Sequence, residues 1–284
     1  MGKYVVLADP HIGRKFKNGV PLSRIGDRER LTMETFRTKL KSVKPDETLI
    51  ILGDLFDNTN VSPSVIYETY LALCESTAEE VIILAGNHDI RRDGATSSFD
   101  ILSKMCPKKI KFVKDKPLLL DNAEIIPFSY TKTIEEMIDV TKKTTLFGHF
   151  SDKDIPFLTA LNRQVFSGHL HNYPNVVSLI TFVRSMLPLN HLEDVGRENP
   201  MYVTCTPDTI PTDTHNKCLR IVGTCDTEGI DALQIAFVKN KDEIEDVDSV
   251  ELGEFDLKTL FFDCMKEHNV SEEVAKGVWE CLEL

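Results

Sequence analysis

Short apolar runs that end in polar, metal-binding side chains restrict the possible folds of this sequence more than any other feature. Each run is bounded by Gly, Asp or Asn and predicts a β-strand. Helical patterns lie between the early runs, and in open α/β sheets ligands gather at the carboxyl ends of the strands. The polar segments that follow the runs are Asp9-Pro10-His11, Gly53-Asp54-Leu55-Phe56-Asp57, Gly86-Asn87-His88-Asp89, Gly148-His149 and Gly168-His169-Leu170-His171.

The order of the predicted elements indicates an α/β protein. The strand-rich later half favours a mixed sheet or a sandwich covered by helices. Helices are predicted at residues 27–43, 62–76, 97–105 and 133–141. Strands are predicted at residues 4–8, 48–52, 81–85, 111–113, 124–127, 144–147, 164–167, 176–178, 201–206, 218–223 and 232–238.

The chain changes in character after about residue 213, which predicts a main domain of residues 1–213 and an appended region of residues 214–284. Two strands there lead into an acidic stretch and two helical patterns, so we expect a small α+β appendage. Residues 226–284 hold 17 acidic and 5 basic side chains, which accounts for the whole net charge of −12. Because the acidity is confined to this end, the net charge does not argue against nucleic-acid binding.

The residue types in the polar segments are those of a two-metal centre. Carboxylate, amide and imidazole groups suit Mn²⁺, Fe or Zn²⁺, and no cysteine lies among them, which excludes a thiolate zinc site. Two divalent cations joined by a bridging carboxylate clamp the attacking and leaving oxygens of a phosphoryl displacement. Each segment alone is an ordinary turn more often than a ligand. Their joint occurrence, in order, at strand ends favours the metal centre.

In sequence order, the segments DPH, GDLFD, GNHD, GHF and GHLH resemble the motifs of the calcineurin-like metallophosphoesterase superfamily over about residues 1–190. The resemblance implies a four-layer αββα sandwich and a phosphoesterase with two divalent metal ions. Mn²⁺ is favoured, with Fe, Zn²⁺ or Mg²⁺ as alternatives. It also implies two ligand sets that share the bridging carboxylate of Asp54. One set is Asp9, His11, Asp54 and His171, and Asn87, His149 and His169 complete the other.

The same resemblance implies catalytic roles for two further residues. His88 is not a ligand in this pattern, and it would stabilise the transition state or protonate the leaving oxygen. Asp57 follows Asp54 by three residues and would orient His88. The alternative for Asp57 is a solvated or capping aspartate.

Within the superfamily, the sequence is similar to the SbcD and Mre-type nucleases. GDLFDNTNVSPSVIYETY resembles the stretch after their second motif, and residues 184–189 resemble the segment after their last motif, with Arg184 in place of the usual Gly. This implies a DNA exonuclease or endonuclease subunit acting in recombination, repair or DNA degradation, of a compact kind like those encoded by bacteriophages. The alternatives are a small-molecule phosphodiesterase or nucleotide phosphatase with the same site, and an inactive binding scaffold, against which the complete ligand set argues.

A nuclease needs basic side chains beside its metals, since affinity for nucleic acid comes largely from phosphate contacts. The stretches after the first and third motifs supply them, and we expect both to border the site. The candidate substrate-binding residues are Arg14, Lys15, Lys17, Arg91 and Arg92, with Arg24, Arg28 and Arg30 further along the first stretch.

The predicted partners are DNA and a coiled-coil ATPase of the SbcC type, and a homodimer is a further alternative. The resemblance to SbcD implies that the ATPase docks on the C-terminal region, where Trp279 lies on an apolar helical stripe. No apolar run is long enough to span a membrane, and the N-terminus resembles no secretory signal. Seven cysteines without a CxxC pair fit a reducing interior, so we expect the cytoplasm of a bacterium or a phage-infected cell.

Overall fold

Two β-sheets face each other, and helices cover the outer face of each, in the computed structural model of this chain. The structure describes residues 3–171 and 176–238. The four-layer αββα sandwich expected from the sequence is confirmed. The helical patterns predicted within residues 239–284, including the stripe with Trp279, lie outside the described residues.

The first sheet is parallel throughout and has the strand order β1-β2-β3-β4. Three helices pack on its outer face and alternate with its strands along the chain. In chain order, these elements are β1 Lys3–Leu7, α1 Asp27–Ser42, β2 Glu47–Leu52, α2 Pro63–Cys74, β3 Glu80–Leu84, α3 Ser98–Met105 and β4 Ile110–Val113.

Strand β2 shows why the apolar runs of the sequence are not interrupted by polar residues. Successive side chains of a strand point to opposite faces. Leu49 and Ile51 pack under the helices, whereas Ile50 and Leu52 face the second sheet. A strand buried on both faces needs apolar residues at every position, and its run ends at Leu52, before the turn at Gly53, which has a φ angle of 84°.

The second sheet has the order β5-β6-β7-β8-β10-β9 and is parallel except at its two edges, where β5 and β9 run antiparallel to their neighbours. Two short helices cover its outer face. The sequence analysis missed β5 and β10, which are too short to show alternation. In chain order, the elements are β5 Leu118–Leu119, β6 Ala123–Ile126, α4 Ile134–Met137, β7 Thr145–Gly148, α5 Ile155–Ala160, β8 Val165–Ser167, β9 Val176–Val177 and β10 Ile180–Phe182.

A third, parallel sheet consists of β11 (Tyr202–Cys205), β12 (Cys218–Val222) and β13 (Gln234–Val238), preceded by α6 (His191–Asp194). The division predicted after residue 213 passes between β11 and β12, which hydrogen-bond to each other. Residues 214–238 therefore pack with the residues that precede them, and Met1–Val238 form one compact unit. The rest of the predicted appendage lies outside the described residues.

Candidate metal centre

The predicted ligands come together at the edge where the carboxyl ends of β1, β2, β3, β7 and β8 meet. The first three strands belong to one sheet and the other two to the facing sheet, so the group spans the gap between the sheets. Two clusters form, in each of which one candidate ligand atom per residue lies within 4.8 Å of the others. The clusters are Asp9, His11 and His171, and Asp54, His149 and His169.

Asp54 belongs to the second cluster and also approaches the first. Its Oδ2 is 3.8 Å from Nε2 of His11 in one cluster and 3.4 Å from Nε2 of His149 in the other. Its Oδ1 accepts a hydrogen bond from the backbone N–H of His88 at 2.9 Å. A carboxylate that imidazoles approach from both clusters has the position that a bridging ligand needs, and the bridging role remains a prediction.

The contacts of His149 leave a place for a cation in the second cluster. Its Nδ1 lies 2.9 Å from the carbonyl oxygen of Leu52, which can only accept, so Nδ1 carries the proton. Its Nε2 lies 2.9 Å from Oδ1 of Asn87 and 3.4 Å from Oδ2 of Asp54. The imidazole lone pair and two oxygens therefore converge, and a proton or a metal ion must lie among them.

His11 supplies a second observation that fits metal ions. Its ring is buried, and neither Nδ1 nor Nε2 has a hydrogen-bond partner within the described residues. Buried polar atoms are normally paired, because desolvation without a partner is costly. Coordination of a cation would satisfy one of these nitrogens. Together with the nitrogen and oxygen donors around it, this orphaned imidazole fits the two divalent ions of the sequence analysis.

The electrostatic field of the centre attracts positive charge. Burial opposes protonation of His149, but the charges of Asp54 and Asp9 outweigh it and raise the pKa of His149 to about 9. Burial likewise opposes protonation of His171, yet Asp9 and Glu193 raise its pKa to about 10. The pKa of His169 is lowered, first by burial and then by the neighbouring His149. Metal ions bound here would replace protons on the imidazoles.

The backbone at the ligands is in an unfavourable conformation. Asp9, His11, Asp54 and His169 have φ angles of 48°, 46°, 46° and 77°, in the left-handed region that side chains other than Gly seldom adopt. Such strain is found at sites that the surrounding structure holds in place. At Gly86, a Cβ atom would lie 2.2 Å from Oδ1 of Asp54, so only glycine allows this close approach.

Asp89, the last residue of the third motif, has a role that the sequence analysis did not assign. Its buried carboxylate accepts hydrogen bonds from the backbone N–H groups of Gly86 at 2.9 Å, Phe56 at 3.0 Å and Leu55 at 3.2 Å. Burial and the charge of Asp54 raise the pKa of Asp89 to about 7. Asp89 thus fastens the loop of the second motif to the loop of the third.

Glu193 is a second residue that the sequence analysis missed. It lies on α6, is 5% exposed, and its Oε2 is 3.3 Å from Nδ1 of His171. The other ring nitrogen of His171, Nε2, is 3.5 Å from Oδ2 of Asp9. A carboxylate on the far side of an imidazole fixes the ring and its tautomer. Glu193 therefore holds His171 with Nε2 directed towards the first cluster.

His88 borders the centre, but its contact with Asp57 differs from the expected one. Nδ1 of His88 lies 2.5 Å from the backbone oxygen of Asp57, so the main chain and not the carboxylate holds the ring. The Asp57 carboxylate instead lies 3.5 Å from Nδ1 of His11 and accepts a hydrogen bond from Arg14 at 3.1 Å. Burial opposes ionisation of Asp57, and His11 and Arg14 outweigh it and lower its pKa.

The predicted substrate-binding residues differ in their contacts and exposure. Arg14 is adjacent to the centre, because it donates a hydrogen bond to Asp57, whose carboxylate lies 3.5 Å from Nδ1 of His11. Lys15, Lys17 and Arg92 are exposed, and Arg91 donates two hydrogen bonds to Asp93.

Arg24 and Arg28 do not border the site, contrary to expectation, because both are buried with partners. Arg24 donates to Asp27 at 2.5 Å. Arg28 lies 3.7 Å from the centroid of the Phe16 ring and donates to the Tyr202 hydroxyl at 2.6 Å. Arg28 thus connects α1 to the third sheet, and Arg24 connects the N-terminal region to the backbone oxygen of His215, just before β12.

Residues 2–173 match the family model described as calcineurin-like phosphoesterase, which is more than half of the chain. The chain belongs to this family. It is therefore a metal-dependent phosphoesterase, as expected from the sequence, and members of the family use a dinuclear divalent metal site. The two ligand clusters of this phosphoesterase lie within or at the end of the matched residues, whereas Glu193 lies beyond them.

Among solved structures, the phosphopantetheinyl hydrolase from Mycobacterium tuberculosis is similar to this phosphoesterase with a TM-score of 0.38 and 16% sequence identity. The match covers 65% of this chain and 90% of the hydrolase. No curated protein matches the sequence. Among the described residues, no helix has the length and apolar character needed to cross a membrane.

Proposed function

We propose that this phosphoesterase hydrolyses phosphodiester bonds in DNA, as a nuclease subunit similar to SbcD. The observation that carries the proposal is the position of Arg14. Its guanidinium is held 3.1 Å from Oδ1 of Asp57, and the same oxygen lies 3.5 Å from Nδ1 of His11. A fixed cation so close to a ligand cluster can contact the phosphate next to the one being cleaved, which a simple phosphate monoester does not have.

The residues of the centre have different roles in the proposed reaction. Asp9, His11, Asp54, Asn87, His149, His169 and His171 would hold two divalent cations, with Mn²⁺ favoured. Such cations lower the pKa of water and neutralise the charge that develops on phosphorus. His88 protonates the leaving oxygen, and its backbone N–H bond to Asp54 places it beside the ligands. Exposed Lys15, Lys17 and Arg92 extend the positive surface along the DNA.

The proposal is tested by hydrolysis assays with Mn²⁺. Purified protein is incubated with labelled single- and double-stranded DNA, and in parallel with a cyclic dinucleotide and bis-p-nitrophenyl phosphate. We expect DNA cleavage that the Asp54→Ala variant lacks. Hydrolysis of bis-p-nitrophenyl phosphate or of the cyclic dinucleotide without cleavage of DNA would refute the nuclease proposal and favour a small-molecule phosphodiesterase.

We also propose that a coiled-coil ATPase of the SbcC type works with this subunit, in DNA recombination, repair or degradation. The sequence similarity to SbcD supports this proposal. Addition of a coiled-coil ATPase of the SbcC type should increase the rate of DNA cleavage in the presence of ATP. Size-exclusion chromatography of each protein and of the mixture distinguishes a complex from a homodimer of the phosphoesterase alone.

A further inference from the structure

A cleft of about 310 Å³ opens next to the metal centre, on the side of the third motif. One wall is the turn that follows β3 and carries Arg91 and Arg92. The other is the segment 128–132 that follows β6. Basic side chains predominate in the lining, which includes Arg91, Arg92, Lys114 and Lys132 against the single carboxylate of Asp115. The cleft is thus suited to an anionic ligand.

Tyr130 forms a fixed aromatic surface between this cleft and the metal centre. Its hydroxyl donates to the backbone oxygen of Asn87 at 3.1 Å, and its ring and that of Phe128 pack in a T-shaped arrangement, with centroids 4.9 Å apart. The Phe128 ring in turn lies 6.4 Å from the ring of His149. Tyr130 is nevertheless 46% exposed. A ring held by its hydroxyl and by a neighbouring ring, yet partly open to solvent, can stack on a planar ligand at little cost in conformational entropy.

Two of the four cations of the cleft are already paired. Arg91 donates to Asp93, and Lys114 donates to Asp100 at 2.6 Å. Arg92 and Lys132 are exposed, and no ion pair joins either one to another side chain in the described part of the chain. These two side chains remain available to bind a phosphate.

We propose that the cleft binds one nucleotide of single-stranded DNA next to the scissile phosphodiester. The base stacks on Tyr130, and Arg92 and Lys132 contact its phosphate. Aromatic stacking between flanking cations is how proteins bind single strands without sequence preference, since every base has a planar face. Bases stacked inside a duplex cannot reach the ring, so the proposal assigns a preference for single-stranded or frayed ends. It rests on the proposed nuclease function, because it names the substrate of the same centre.

The test measures binding and not cleavage, by fluorescence anisotropy of a fluorescein-labelled oligothymidylate in EDTA. Tyr130→Leu should raise the Kd about tenfold, as expected for the loss of one base stack. Tyr130→Phe loses the hydrogen bond to Asn87 but keeps the ring, so its Kd should stay within about twofold of the wild type. Lys132→Gln should weaken binding and lower the slope of log Kd against log salt concentration, by about 0.7 for one phosphate contact on a single strand.

Matched controls lie elsewhere on the surface. Tyr67 on α2 is an exposed tyrosine, and Lys153 is an exposed lysine. Tyr67→Leu and Lys153→Gln should leave the Kd unchanged, so that general effects of losing an aromatic ring or a charge are excluded.

Three results would overturn the proposal. The first is that the wild-type protein does not bind the oligonucleotide. The second is that the Kd is unchanged in both Tyr130→Leu and Lys132→Gln. The third is that Tyr130→Leu and Tyr130→Phe weaken binding equally. The last result would show that Tyr130 acts through Asn87 and not as a stacking surface. Because binding is measured without metal, failure of the cleft proposal is distinguishable from failure of the nuclease proposal, which appears as binding without cleavage in Mn²⁺.

Discussion

Replacement of Glu193 by Gln should weaken the binding of one divalent cation and spare the second. Oε2 of Glu193 lies 3.3 Å from Nδ1 of His171, and both groups are shielded from solvent. A hydrogen bond to a charged group contributes about 1.5–3 kcal/mol. At about 1.4 kcal/mol per factor of ten, the affinity of the cluster that contains His171 should fall about 10- to 100-fold.

Glutamine cannot reproduce the contacts of Glu193, although the two side chains have the same shape. Oε2 accepts from the backbone N–H of Leu189 at 3.0 Å and faces His171, and Oε1 accepts from Nδ2 of Asn190 at 2.6 Å. An amide has a single acceptor oxygen, so in either orientation its NH₂ group faces a donor. We therefore expect a small loss of stability in the metal-free protein, about 1 kcal/mol, beside the loss of metal affinity.

The assay is calorimetric titration of EDTA-stripped protein with Mn²⁺, combined with urea unfolding of the metal-free form. Glu198→Gln is the matched control, because Glu198 is an exposed glutamate five residues further along the chain. Glu193→Gln should show one weakened and one normal site, whereas the control should show two normal sites. Two sites of wild-type affinity in Glu193→Gln would refute the role of Glu193 in orienting His171. Equal weakening of both sites with a loss of several kcal/mol in unfolding free energy would reduce Glu193 to a structural residue.

Three further substitutions test the centre itself. Asp54→Ala should abolish binding of both metals and activity together, because the Asp54 carboxylate approaches imidazoles of both clusters. Elemental analysis that still finds two metals per chain would contradict its bridging role. His88→Ala should retain both metals and lose turnover about 10²- to 10⁴-fold, and metal loss in this variant would show that His88 is a ligand. Gly86→Ala puts a methyl group against Asp54 and should lower both metal content and Tm, and a variant with normal values of both would contradict the close approach.

The parts of the fold that depend on local pattern were predictable from the sequence. β2 and β3 are buried on both faces, so their apolar runs and the Gly that follows mark their ends to within a residue. α1 was predicted within one residue of its observed end at Ser42, because its apolar spacing is regular. β5 and β10 are only two and three residues long, and each is defined by its pairing with a neighbouring strand, β6 and β8 respectively.

The residues of the site also divide into those that the local sequence predicts and those that depend on residues distant in the chain. Each candidate ligand stands directly after a predicted strand, and parallel strands bring their ends together, so the clusters follow from local order. Glu193 meets His171 through α6, which nothing near His171 predicts. Arg28 was expected to border the site because it belongs to the basic stretch that follows the first motif. Its burial depends on Pro188, Tyr202 and Gln234, which are 160 to 206 residues away.

The hydrogen bonds between Arg28 and distant residues affect the order in which the parts of the enzyme fold during its synthesis. All seven candidate ligands precede residue 172, whereas Glu193 and the third sheet follow it. Contacts that close loops of 160 to 206 residues form late, and the N-terminal part of a chain folds first on the ribosome. A prematurely terminated chain can therefore carry every candidate ligand and still lack the carboxylate that fixes His171. Translation of α6 and the third sheet therefore completes the surroundings of the metal centre.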